Sequence, residues 1–155
     1  IYFVQKSRKI YFRTLFSLVS GYLICYFIFF VFQTYVPRPA ISGNGFFDYI
    51  LKIVYSLDKP YNCFPSIHVV SCCIMAAGVI DMKESTIKSK LVIIISSIMI
   101  IMSTEFIRQH VLMDIFSGII LGTGVYLVSR AVNWEAVLCQ VKSFWLSMMT
   151  KKSEI

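Results

Sequence analysis

Charge is what this chain has least of. Only 15% of its 155 residues are Asp, Glu, Lys or Arg, and just 8 of them are acidic. Soluble domains carry about 25% charged residues. With 57% hydrophobic residues and a mean hydropathy of +0.74, the deficit points to a bilayer as solvent. Cysteine pairing patterns are missing as well. The cysteines (Cys25, Cys63, Cys72, Cys73 and Cys139) are odd in number and include no C-x-x-C pair, which argues against a disulfide scaffold and a zinc site. Three of them sit in apolar runs, where a thiol behaves as a small hydrophobe. No basic stripe with interleaved aromatics lies on a polar face, so the net charge of +7 does not read as a nucleic-acid surface. A cleavable signal peptide is not expected, because the first apolar run is too long and lacks a small-residue cleavage site.

What is present is a series of apolar runs. Thr14 to Val36 carries no charge over 23 residues, enough to cross roughly 30 Å of hydrocarbon as a helix. Pro37 and Pro39 stop it, since proline removes a donor and restricts its predecessor. Phe46, Phe47, Ile50, Leu51, Val54 and Tyr55 then recur at helical spacing, the pattern of an amphipathic helix lying at the interface. Further runs cover about Cys63 to Ile80, Lys90 to Arg108 and Val111 to Arg130. The last holds Gly118 and Gly122, a G-x-x-x-G pair that permits close helix approach in lipid. The expectation is an all-α, polytopic transmembrane helix bundle with four spans and one interfacial helix. Residues 1–13 would form a cytoplasmic segment and residues 14–132 the core. Residues 133–155, with Trp134, Phe144 and Trp145 beside Lys142, Lys151 and Lys152, would form an amphipathic cytoplasmic tail.

Basic residues set the orientation. The N-terminal segment, the loop from Asp81 to Lys90 and the tail from Arg130 hold eleven Lys and Arg, against four (Arg38, Lys52, Lys59 and Arg108) on the other side. The positive-inside rule then puts both termini in the cytoplasm. The residues with chemical potential fall on the opposite, extracytoplasmic face, and ionisable groups at membrane depth are functional hypotheses by default. His110 and Asp114 are spaced i, i+4, which on a helix shares one face. A carboxylate there fixes the imidazole tautomer and aims the other ring nitrogen outward. In Pro65-Ser66-Ile67-His68, proline at a first helical position and a hydroxyl residue open a helix toward water, giving amides and a hydroxyl for an anion. His68, one turn in, suits proton donation to a leaving oxygen. Arg38 offers a fork for phosphate, with Lys59 a weaker candidate of the same kind.

Together these residues resemble the signature of the type-2 phosphatidic acid phosphatase superfamily of membrane lipid phosphatases and phosphotransferases. Its first motif ends in Arg-Pro, matched by Arg38-Pro39; its second is Pro-Ser-x-His, matched at residues 65–68. Its third is Ser-Arg, five residues, His, three residues, Asp, matched by Ser103, His110 and Asp114. The resemblance covers about residues 30 to 130. It implies a phosphohistidine formed at His110, oriented by Asp114, with His68 as acid and then base. It implies phosphate contacts from Arg38, Ser66, Ser103 and the position of Thr104, a lipid phosphate as substrate, and no metal or other cofactor. Family members often have six helices, which implies further helices upstream of Ile1. Two positions depart from the pattern: Val31 stands where the family has a lysine, and Thr104 where it has an arginine. Thr104 and Arg108 are i, i+4, so on an unbroken helix Arg108 would project into the same region. The run from Ser103 to His110 resembles the branch that includes inositol phosphorylceramide synthase-like proteins, which raises transfer to an alcohol beside hydrolysis. The expected location is the plasma membrane.

Overall fold

The structure, a computed structural model, describes residues 2–137, 139, 140 and 143. Its named helices among the described residues are, in chain order, α1 (Tyr2–Lys6), α2 (Arg8–Val31), α3 (Phe46–Leu57), α4 (Ile67–Asp81), α5 (Ile87–Phe106) and α6 (Leu112–Arg130). Among the described residues there is no strand beyond an isolated bridge between Tyr35 and Tyr61. Ser7 caps α2 by accepting from the Ile10 amide, and Thr86 caps α5 by accepting from that of Ser89, each satisfying an amide that the first turn leaves open.

Three helices, α2, α5 and α6, are long and apolar enough to cross a membrane. The second apolar run, expected as a span from Cys63 to Ile80, departs from that pattern. Its helix starts only at Ile67 and has 15 residues, about 22 Å at 1.5 Å per residue. Proline explains the late start. Pro65 lies ahead of the N-cap Ser66, not at a first helical position, and it has no amide to give. The preceding stretch stays extended because its amides find partners elsewhere. Cys63 and Phe64 both donate to Thr34 Oγ1 at 2.9 Å, Asn62 donates to Thr34 O at 2.8 Å, and Ser66 to Asp114 O at 3.2 Å. Irregular backbone survives at membrane depth only when protein satisfies it in this way.

The short helix α4 is the centre of the bundle and packs on α2, α5 and α6. Val69, Val70, Ile74 and Val79 on it are fully buried. Its neighbours approach closely. A Cβ at Gly118 would meet the Val69 Cβ at 2.8 Å and Ser66 O at 3.0 Å, and one at Gly122 would meet Val70 O at 2.8 Å. The G-x-x-x-G pair is thus the seat of α6 against α4. The outer faces stay apolar and uncovered, as at Leu23, Phe27, Phe30, Ile120 and Val128, which in lipid is matched surface instead of a liability. Of the three membrane-length helices α5 is the least enclosed, with only Ser97 and Thr104 buried.

Both limits of α2 also differ from expectation. α2 begins at Arg8, so Arg13 lies inside it, 8% exposed and paired with Asp81 at 2.9 Å. The same helix ends at Val31, after which Phe32 to Val36 run extended to bond residues 60–62. α3 forms as expected from its spacing, buries none of its residues and exposes Phe46, Phe47 and Leu57 strongly. In the C-terminal segment, Trp134 is not a surface anchor: it is 5% exposed and its indole donates to Ser129 O at 2.8 Å. Lys142, Phe144, Trp145, Lys151 and Lys152 of the expected amphipathic tail lie outside the described residues.

Candidate active site

One end of the bundle gathers most of the residues singled out by the sequence. His110 and Asp114 come together, but not across a helical face. α5 has ended, α6 begins at Leu112, and residues 107–111 form the turn between them. Asp114 is the third residue of α6. Its Oδ2 accepts from the Val111 amide at 3.0 Å, an acidic cap that suits the positive end of the helix. The same oxygen lies 3.3 Å from His110 Nδ1. Both side chains are buried. The carboxylate therefore holds Nδ1 and leaves Nε2 as the ring nitrogen available for chemistry.

His68, in the first turn of α4, faces His110 with ring centroids 5.9 Å apart and ring planes at 63°. Two contacts fix this approach: the Ser66 amide on Asp114 O, and Gly118 against Val69. Both histidines line a cavity of about 70 Å³, together with Asp58, Lys59, Cys63 and Gln109. Cys63 is a rival nucleophile by position.

The expected phosphate ligands scatter. Arg38 is close by but already engaged. Its guanidinium donates to Asp58 Oδ2 at 2.9 Å, to Asp58 O, and to Lys59 O at 3.3 Å, and it lies 4.7 Å from the Tyr55 ring centre. Asp58 also accepts from Gln109 Nε2 at 2.8 Å. Ser66 is fully buried and its hydroxyl has no hydrogen-bond partner among the described residues. The Ser103 and Thr104 hydroxyls bond back to the carbonyls of Ile100 and Ile101. Arg108 does not continue α5, contrary to the unbroken helix that would align it with Thr104. The helix stops at Phe106 and Arg108 has a φ of 51°. It reaches His110 from another side, sharing with it, Pro37 and Glu105 a wider cavity of about 540 Å³ that His68 does not border.

Asp58 was not singled out from the sequence, and Gln109 stood out only as a member of the run Arg108-Gln109-His110. The signal for Asp58 was slight, a lone carboxylate at the end of an interfacial helix beside Lys59. Its pairing with Arg38 spans 20 residues and depends on the loop fold. Among the described residues no group of three or more His, Cys, Asp or Glu gathers as a metal site.

A helical membrane protein with a carboxylate-held histidine facing a second histidine is the class that this fold and site define. The chain matches the model of the PAP2 superfamily over residues 10–137, and it belongs to that superfamily. Its members are typically phosphatases, so phosphatase- or phosphotransferase-type chemistry is the general activity that membership brings. No curated protein and no solved structure matches the chain.

Proposed function

We propose that this protein is a membrane lipid phosphate phosphatase that works through a phosphohistidine at His110. The observation that carries the reading is the shared small cavity: His110 held at Nδ1 by Asp114, with His68 opposite it. In the first step the Nε2 lone pair of His110 attacks phosphorus and the bond from phosphorus to the lipid oxygen breaks. Protonated His68 gives its proton to the departing alkoxide. In the second, His68 takes a proton from water, whose oxygen attacks the phosphoimidazole; phosphate leaves and His110 returns to neutral imidazole. Asp114 stabilises the positive charge that His110 carries in between. Such general acid–base help contributes about 10²- to 10⁴-fold.

Charge on the phosphoryl oxygens needs fixed cations, which supply most of the assistance in phosphoryl transfer. Lys59 borders the cavity, and Arg38 would reach it by exchanging its Asp58 bonds for phosphate. Arg108 would act from the far flank of His110. The α3 helix would lie at the interface, and α4, supported by residues 58–66, would complete a fourth crossing. The charge bias favours an extracytoplasmic site, and the membrane would be the plasma membrane. Impermeant thiol labelling of single cysteines would check this orientation, with Asn44→Cys expected to react from outside and Ser85→Cys not.

Transfer to an alcohol such as inositol is the second reading, favoured by the run Ser103 to His110. It shares the first step and replaces water by the alcohol. Phosphate release from a panel of lipid phosphates by the purified protein, with and without inositol, tests both. Phosphate release from at least one lipid supports hydrolysis. A phosphorylated alcohol in place of free phosphate supports transfer. The absence of both from every lipid would refute both.

A further inference from the structure

His68 borders two cavities, and the second has no part in the chemistry above. It holds about 340 Å³ and is lined mainly by apolar atoms. Its walls are one face of α4, with His68, Cys72 and Met75, and one face of α5, with Val92, Ile93 and Ser97. These residues recur at spacings of three, four and seven, so each wall is a continuous stripe along its helix. Toward the Asp81 end a further cavity of about 380 Å³ shares Val92 and Ile93 and extends to Tyr2 and Lys88. From Ile100 to Lys88 the track follows thirteen residues of α5, about 18 Å from first to last. It lies open because α5 packs chiefly on α4 and buries little else.

We propose that this track holds the hydrocarbon chain of the substrate lipid, with the phosphate at His110 and the chain running between α4 and α5. The inference rests on the phosphatase reading, and stereochemistry links the two. In-line displacement puts the leaving oxygen on the side of phosphorus opposite His110. The group that protonates that oxygen must lie beside it, and that group is His68. The carbon attached to the leaving oxygen therefore continues past His68, into the one cavity of the pair whose walls are apolar and which follows the bilayer inward. Burial of a chain there is favourable by roughly 0.8 kcal/mol per methylene relative to water, so in a bilayer the track selects by fit, not by gross hydrophobicity. The headgroup alone would bind the small cavity; chain length and bulk would be read between α4 and α5.

Two measurements on the purified full chain in micelles test this. In the first, a long-chain alkyl phosphonate with a mid-chain diazirine is photolysed with the wild-type protein and the labelled peptides are sequenced. Label on α4 and α5, around Met75 and Ile93, is expected; label confined to α2 or α6 would overturn the proposal. This arm does not require turnover, so it stands even if no phosphate is released from any lipid, the outcome that defeats the phosphatase reading. In the second, Ile93→Trp and, separately, Ser97→Leu narrow the track. The ratio of kcat/KM for a long-chain over a short-chain alkyl phosphate should fall by about 10- to 200-fold, the range for a misfitted apolar group in a pocket. Both variants turning over the short-chain substrate with the wild-type ratio would overturn it.

Discussion

The two ends of the bundle use the same materials to opposite ends. At one, the Oδ2 of Asp81 accepts from Arg13 at 2.9 Å and from Tyr126 at 3.1 Å, and lies 3.4 Å from Arg130 Nε. Nearby, Ser17 Oγ lies 2.8 Å from both Arg13 O and Ser129 Oγ, and Trp134 seals Ser129. Two guanidinium groups and a phenol saturate one carboxylate oxygen, and the side chains link α2, α4 and α6 into a closed joint. At the other end Asp114 holds one nitrogen of His110 and one amide, and Asp58 ties Arg38 to Gln109. There the carboxylates are spent on orientation, and two imidazoles remain facing a cavity. A saturated carboxylate makes structure; a carboxylate that holds only one nitrogen of its partner leaves the other free for chemistry.

Substitutions at the two ends should therefore fail in different ways. The largest effect is expected for His110→Ala. Loss of a covalent nucleophile costs on the order of 10⁴- to 10⁶-fold in kcat, measured as phosphate release from the preferred lipid, with thermal unfolding close to wild type. His68→Ala should cost about 10²- to 10⁴-fold, and less with a p-nitrophenyl ester, whose leaving group needs no proton. Equal losses on both substrates would remove His68 from the acid role.

Asp81→Ala should show the reverse pattern. It strands Arg13, whose side chain is 10% exposed. Breaking such a pair costs about 3 kcal/mol or more, seen as a lowered unfolding midpoint in micelles, with kcat of the surviving folded protein within about twofold. A kcat loss as large as that of His68→Ala would erase the distinction between the ends. Glycines sharpen it at smaller scale. Gly118→Ala forces its Cβ onto Val69 and Ser66 O and should destabilise by about 1–3 kcal/mol, while shifting the His68 turn and lowering kcat as well. Gly124 has nothing within 4 Å of the added Cβ, so Gly124→Ala should be neutral or stabilise by up to about 1 kcal/mol. Unfolding scans of the pair decide it.

Much of the fold could be read from the run of apolar residues, because hydrocarbon matching is local and composition reports it. α5 and α6 appear within three residues of their expected limits. The end of α2 did not, since Phe32 to Val36 carry no charge and no proline to announce a stop, and bonds to residues 60–64 pull them straight. The length of α4 was hidden for the same reason: Thr34 and Asp114, far away in sequence, satisfy the amides that let the chain stay extended to Ser66. At the site, the His110–Asp114 pair was legible from spacing, although a helix cap and not a helix face produces it. The Arg38–Asp58 pair was not, because sequence shows which residues carry charge but not which loop folds back on which. Arg108 misled for a related reason. Nothing between Thr104 and His110 announces a break, yet the chain turns after Phe106.

The central claim is that His110 becomes covalently phosphorylated. Its most direct test is to mix the purified protein with a lipid phosphate that it turns over, quench within milliseconds at alkaline pH where phosphoimidazoles survive, and map the phosphate by mass spectrometry. Phosphate on the peptide containing His110, lost in His110→Ala, is the expected result. Phosphate on Cys63 or His68 instead, or lipid turnover retained by His110→Ala, would contradict the account.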